Sequence, residues 1–258
     1  MRKFFKQFYL VLVLMFLYIP IIILIGQSFN AGKSRAKWEG FSFRWYTELF
    51  NDQAIMRALY VTLSVAVIAA IVATALGTLA AIGIYAMKKR PQSVMMTMTN
   101  LPMTMPDIVT GISLMILFTF SRIERGYVTM LLAHITFNTP YVILSVLPKL
   151  KQMNKHTYEA ALDLGATPTY ALFRVILPEI SQGVVTGCLL AFTLSLDDFV
   201  ISYFTTSPMV QNLSTLIYSK ARIGIEPTLN ALSALMFLAL LVLLLVVNRR
   251  SSKTAAKT

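Results

Sequence analysis

Runs of about twenty apolar residues constrain this chain more than any other feature, because a helix of that length fits the ~30 Å hydrocarbon core of a bilayer. Six such runs lie near residues 8–27, 59–87, 95–120, 127–148, 178–205 and 229–247. Backbone N–H and C=O groups in hydrocarbon must be paired within the protein, so uniformly apolar runs of this length fold as helices. The expectation is an all-α, polytopic membrane protein with six transmembrane helices in a single domain over residues 1–258. The composition agrees: 13% of residues are charged, against about 25% in soluble domains. Arg2, Lys3 and Lys6 before the first run also suit a signal peptide. That run is too long, however, and no small-residue cleavage site follows it cleanly, so it reads as an uncleaved first span.

A net charge of +12 in a soluble protein would suggest nucleic acid. Here the charges sit between the apolar runs, and topology accounts for them without a nucleic-acid partner. With the N-terminus inside, Arg2, Lys3, Lys6, Lys88, Lys89, Arg90, Lys149, Lys151, Lys155, Arg174, Arg249, Arg250, Lys253 and Lys257 all fall on the inner side, the majority of the 23 basic residues. Lys and Arg concentrate on the cytoplasmic face. Six spans then place both termini and the 149–177 segment in the cytoplasm, and the 28–58 loop outside. The tail after Asn248 reads as disordered.

The outer loop nearly spells a phosphate-binding motif in Gly26-Gln-Ser-Phe-Asn-Ala-Gly32-Lys33-Ser34, but five residues separate the glycines where four are required. It also lies on the wrong side for cytoplasmic ATP. No other nucleotide signature is present, so nothing in the sequence reads as an ATP site. Phe41-Ser-Phe-Arg-Trp45-Tyr46 reads as a helix or turn on the outer face, or as an interfacial aromatic belt. Ala73-x-x-x-Gly77-x-x-x-Ala81 puts a smooth stripe on one helix face and predicts close packing. The single Cys188 rules out an intrachain disulfide and reads as a small buried residue. His134, with the Asn138 amide nearby, reads as a helix-packing hydrogen bond, and nothing suggests a metal site or a cofactor.

Three acids fall in or beside apolar runs: Asp107 just past Pro102 and Pro106, and the pair Asp197–Asp198. An acid at bilayer depth costs about 2.5–3.5 kcal/mol on insertion scales, so it faces a cavity or a partner. On a continuous helix Asp197 and Asp198 point about 100° apart. They have no fixed cation at matching depth, which leaves two readings open. Either they meet a cationic solute, or they cap a helix end or pair with a neighbouring subunit.

The 149–177 segment is helical in character but too polar to span. Thr157 is placed to cap a first short helix, with Glu159 near its positive end. Gly165 suits a left-handed corner. Thr167 caps a second helix with Pro168 at its first position, and Pro178 marks the start of the fifth run. Glu159-Ala160-Ala161, Asp163, Gly165 and Ile176-Leu177-Pro178 resemble the EAA loop of ABC importer permeases. The resemblance implies that fold (type I) and makes Glu159, Ala160, Ala161, Asp163 and Gly165 the contact with an ATPase.

A longer set narrows the likeness: Tyr18-Ile-Pro-Ile-Ile-Ile-Leu, Phe43-Arg-Trp45-Tyr46, Pro106-Asp107-Ile-Val, His134-Ile-Thr-Phe, Ala160-Ala-x-Asp163-Leu-Gly-Ala and Leu194-Ser195-Leu-Asp197-Asp198. Together they resemble spermidine/putrescine importer permeases of the PotC type. That implies a bacterial inner-membrane permease subunit with no enzymatic activity of its own. It also implies a second permease in a heterodimer, two ATPase subunits, a periplasmic polyamine-binding protein, and a substrate path lined by Trp45, Asp107, Ser195, Asp197 and Asp198. Pro168 stands where relatives often carry an acid, so no contact through that acid carries over. The alternatives are an ABC permease for another small cation and an ion-coupled carrier, which leaves the EAA-like loop unexplained.

The topology is checked with single cysteines in a Cys188→Ala background. Thr169→Cys is expected to resist an impermeant thiol reagent in intact cells, while Ser34→Cys is labelled. Labelling of Thr169→Cys from outside would overturn the arrangement.

Overall fold

The computed structural model describes residues 2–34, 37–154, 156–224 and 226–255, with side chains for 6–34, 37–154, 156–224 and 226–242. Of the inner-side basic residues, Lys155 and Lys257 lie outside the described residues, as do the side chains of Arg2, Lys3, Arg249, Arg250 and Lys253. In chain order the helices are α1 (Arg2–Ser28), α2 (Arg44–Asn51), α3 (Gln53–Ala86), α4 (Lys89–Thr104), α5 (Asp107–Phe120), α6 (Tyr127–Gln152), α7 (Thr157–Asp163), α8 (Pro168–Ala171), a π turn (Leu172–Ile176), α9 (Leu177–Glu179), α10 (Ser181–Asp197), α11 (Val200–Thr205), α12 (Leu213–Ile223) and α13 (Pro227–Ala255). The expected disordered tail is instead helical as far as Ala255.

Each of the six apolar runs coincides with one of these helices or with a bent pair. Lys6–Ser28, Gln53–Ala86 and Tyr127–Gln152 are unbroken and long enough to cross a bilayer. The third run is α4 and α5, bent by 103°; the fifth runs along α10 into α11 and is set off at its start by a 72° bend from Pro168–Glu179. Pro106 explains the first break: it has no N–H to donate back, and it drives the preceding Met105 into extended backbone. The sixth run contributes the apolar helix Pro227–Val242.

The helices divide into two units, Met1–Met56 with Ile217–Thr258, and Arg57–Leu216. In the first unit the outer loop is built on Asn30. Its Nδ2 donates to the carbonyls of Ser34 and Lys37, and its Oδ1 accepts from the N–H groups of Gly32 and Glu39. The near-miss phosphate motif is therefore an asparagine-centred turn. Phe29 stacks on Phe41 at 5.1 Å, and Tyr46 closes the cluster by sharing a 2.7 Å hydrogen bond with Ser28. Asp52 starts α3 earlier than the apolar run suggests: its Oδ1 accepts from the N–H of Ala54 and Ile55. Lys220 reaches Asp52 at 3.2 Å and Glu226 at 2.8 Å. Burial opposes ionisation of Asp52, but these backbone donors and Lys220 outweigh it and hold its carboxyl below the ordinary value.

In the second unit α6 is the axis. The stripe Ala73, Gly77, Ala81 is buried as expected, and Gly77 meets α6 so closely that a Cβ there would stand 2.7 Å from Val142 Cβ and 3.0 Å from the Thr139 carbonyl oxygen. A second stripe was not anticipated. Gly183, Gly187 and Ala191 bury the facing side of α10, and a Cβ on Gly183 would lie 2.9 Å from the Ser145 carbonyl oxygen. The core between them holds Val142, Ile143, Val146, Leu147 and Leu150, with the half-buried Cys188 packed against it.

Overpacking a close helix contact costs about 1–3 kcal/mol. Gly77→Leu and Gly183→Leu are therefore expected to lower the melting midpoint of the detergent-solubilised protein. Gly83→Leu, where a Cβ meets nothing within 4 Å, is expected not to. Equal midpoints for all three would refute the packing argument.

Candidate functional site

The Glu159 loop forms two short helices and a corner. Its first helix does not start on a Thr157 cap. Asn154 turns the chain earlier, its Oδ1 accepting from the His156 N–H at 3.1 Å and its carbonyl accepting from the Thr157 N–H at 3.1 Å. Thr157 is thereby already helical, and His156 stands at the N-cap with Nδ1 3.1 Å from Glu159 Oε2. At the other end Gly165 has φ +88°. Its N–H reaches the Leu162 carbonyl and the Ala166 N–H reaches the Ala161 carbonyl, at 2.9 and 3.0 Å. Those two bonds complete a Schellman termination, which needs the left-handed residue. Thr167 then caps α8, accepting from the Tyr170 N–H at 3.3 Å, with Pro168 at the first position.

Pro178 leaves its mark further along. It has no N–H for a bond four residues back, and its ring would crowd that carbonyl. The chain widens into the π turn instead, where the Leu177 N–H bonds to the Leu172 carbonyl, five residues back. Glu159, Ala160, Asp163 and Gly165 are exposed, Ala161 is half-buried and Leu164 is 89% exposed. Ala161, Leu164, Ala166 and Tyr170 rim an open concavity of about 480 Å³.

The five residues assigned to the substrate path do not form one cluster. Trp45 belongs to the first unit, is 2% exposed, and donates its indole N–H to the Asn30 carbonyl. It is thus buried in the outer loop's own fold. The other four belong to the second unit. Ser195 is buried and accepts from Asn138 Nδ2 at 2.7 Å, a hydrogen bond that packs α6 against α10. Asp107 opens α5 and Asp197 closes α10. Both are exposed, and neither has a hydrogen bond to another described side chain.

Asp198 differs from its neighbour because the helix stops between them. Its backbone is extended (φ −66°, ψ 122°), so the roles of the pair separate at a break and not around a helical wheel. Its carboxylate accepts from the first-turn N–H groups of α11, Ile201 at 3.2 Å and Ser202 at 2.7 Å, and lies 3.5 Å from His134 Nε2. Sequence reasoning missed the partner residues Ser202 and Asn212. A polar residue every few positions after Asp198 was the available signal. Among the described residues no group of three His, Cys, Asp or Glu could hold a metal ion.

The chain thus combines interrupted apolar helices, acids at the interruptions and an exposed two-helix loop. The chain belongs to the family of binding-protein-dependent transport system inner membrane components, which matches residues 73–250. It is 41% identical over 227 residues to the putrescine transport system permease protein PotI of Escherichia coli strain K12, covering 85% of this chain and 81% of that one. It is 38% identical over 254 residues to the spermidine/putrescine permease PotC of Haemophilus influenzae, covering 97% and 99%. Among solved structures, a bacterial ABC transporter involved in import of the acidic polysaccharide alginate has the same fold, with a TM-score of 0.74 at 18% identity over 97% of this chain and 95% of that one.

The corner generates a direct prediction. Valine resists positive φ, so Gly165→Val is expected to abolish transport-coupled ATP hydrolysis in the assembled transporter while the protein still reaches the membrane. Normal hydrolysis and uptake in this variant would sink the coupling assignment.

Proposed function

We propose that this chain is one of two permease subunits of an ATP-driven importer for polyamines. The observation that carries the reading is identity of 38–41% to permeases named for putrescine and spermidine/putrescine, over nearly the whole chain. The uncompensated acids support it. A polyamine carries ammonium groups spaced by methylenes, and it suits carboxylates set along a path with aromatic rings between them. The chain performs no bond chemistry in this scheme. One transmembrane domain of six spans, with both termini in the cytoplasm, pairs with a second, non-identical permease. A periplasmic binding protein delivers the solute, and two ATPase subunits seat Glu159, Ala160, Ala161, Asp163 and Gly165. Closure of the ATPases moves those loops and opens the cavity outward.

Within the path the five residues divide the work. Asp107 and Asp197 present their carboxylates to the solute. Ser195 and Asp198, being buried or bonded, shape the wall that carries them, while Trp45 serves the fold of the 28–58 loop. Charge-assisted hydrogen bonds are worth roughly 1.5–3 kcal/mol, and 1.4 kcal/mol is about ten-fold.

The test is ATP-dependent uptake of labelled spermidine and putrescine into vesicles reconstituted with all partners. Asp107→Asn and Asp197→Asn are each expected to lower uptake efficiency about ten-fold or more, with spermidine affected at least as much as putrescine. Polyamine import unchanged in both variants would open the substrate class to another cation. Import that proceeds without ATPase subunits would favour an ion-coupled carrier.

A further inference from the structure

The break after Asp197 is held by a buried polar junction that the path assignment does not use. Its node is the Ser202 hydroxyl on α11, which is fully buried. His134 Nε2 on α6 lies 3.0 Å from Ser202 Oγ, and Asn212 Nδ2 donates to the same oxygen at 2.8 Å. Asn212 Nδ2 also reaches the Asp198 backbone carbonyl at 3.3 Å, and Asn212 Oδ1 caps α12 by accepting from the Thr215 N–H at 3.0 Å. His134 and Asn212 are each 2% exposed. Three chain segments therefore meet at one oxygen. Asp198 is gripped at its carboxylate by α11 and at its carbonyl by Asn212.

We propose that His134, Ser202 and Asn212 are positioning residues for transport, fixing Asp198 at the helix break and thereby aiming the exposed carboxylate of Asp197. This rests on the polyamine path reading given above. The physical case is one of geometry. A residue in extended backbone between two helices has two soft dihedrals, and here the α11 amides hold its carboxylate and Asn212 its carbonyl, with His134 and Asn212 both on Ser202. Side-chain networks in a low-dielectric interior are costly to leave partly satisfied, so removing one member disturbs the others. A purely packing role for His134 would need one hydrogen bond. The observed arrangement converges on the residue adjoining the free acid.

The test uses the full transporter with its partners. His134→Leu removes one arm, and His134→Gln keeps a polar group of similar reach. Asn212→Ser retains a capping oxygen for α12 but is too short for Ser202. Spermidine uptake by His134→Leu and by Asn212→Ser, per assembled transporter, is expected to show KM raised about ten-fold with the maximal rate within about two-fold of the parent. His134→Gln is expected to recover most of the loss. Hydrogen exchange at the Ile201 and Ser202 amides is expected to speed up about ten-fold in His134→Leu, with no change over residues 157–171. An unchanged KM in both disrupting variants, with only less assembled protein, overturns the proposal, and so does failure of Gln to rescue. If the parent imports no polyamine, the functional reading falls instead. The junction is then judged on hydrogen exchange alone, and unchanged exchange at Ile201 and Ser202 overturns it.

Discussion

Two glycines, Gly77 and Gly187, pack against Val142 and bring α3 and α10 close onto α6. Lipid tails are as apolar as leucine, so helices in a bilayer gain little by hiding apolar side chains from it, and association depends on close packing and hydrogen bonds. Gly77 brings α3 against Thr139 and Val142, and Gly187 brings α10 against Val142 and Ser145. Dispersion gains only about 0.1–0.2 kcal/mol per atom pair, but many pairs form when backbones approach this closely. With both neighbours pressed onto it, α6 stays helical through Pro140 and Pro148.

That helix also joins the two functional regions. His134 and Asn138 near its start hold the polar groups of α11 and α10. Lys149 near its end donates to Gln182 at 3.2 Å, and Asn154 opens the loop helix just beyond. His134 and Met153 are separated by about 28 Å of helix at 1.5 Å per residue. In the proposed importer that stretch of α6 would link the loop offered to the ATPases with the acids of the solute path.

Much of this was legible in the sequence. The apolar runs located the helices, and Gly165, Thr167 and Pro168 announced the loop's corner and second cap, because such backbone geometries admit few residue types. The Ala73–Gly77–Ala81 stripe was legible for the same reason, and Gly183–Gly187–Ala191 carries the same signal at the same spacing. Thr157 is an acceptable cap that loses its place to Asn154 three residues earlier, where two local signals compete. Other features depend on partners far away in the chain. The different fates of Asp197 and Asp198 follow from a helix break stabilised by His134 and Asn212, sixty-four and fourteen residues from Asp198. No local pattern encodes such a meeting.

The π turn between Ala171 and Leu177 has a geometric effect of its own. A helix advances about 100° per residue, so accommodating one extra residue in a turn rotates everything beyond it by about that angle relative to an unbroken helix. Pro178 sets this offset within the segment that runs from the Gly165 corner to Glu179, ahead of the 72° bend at which α10 begins.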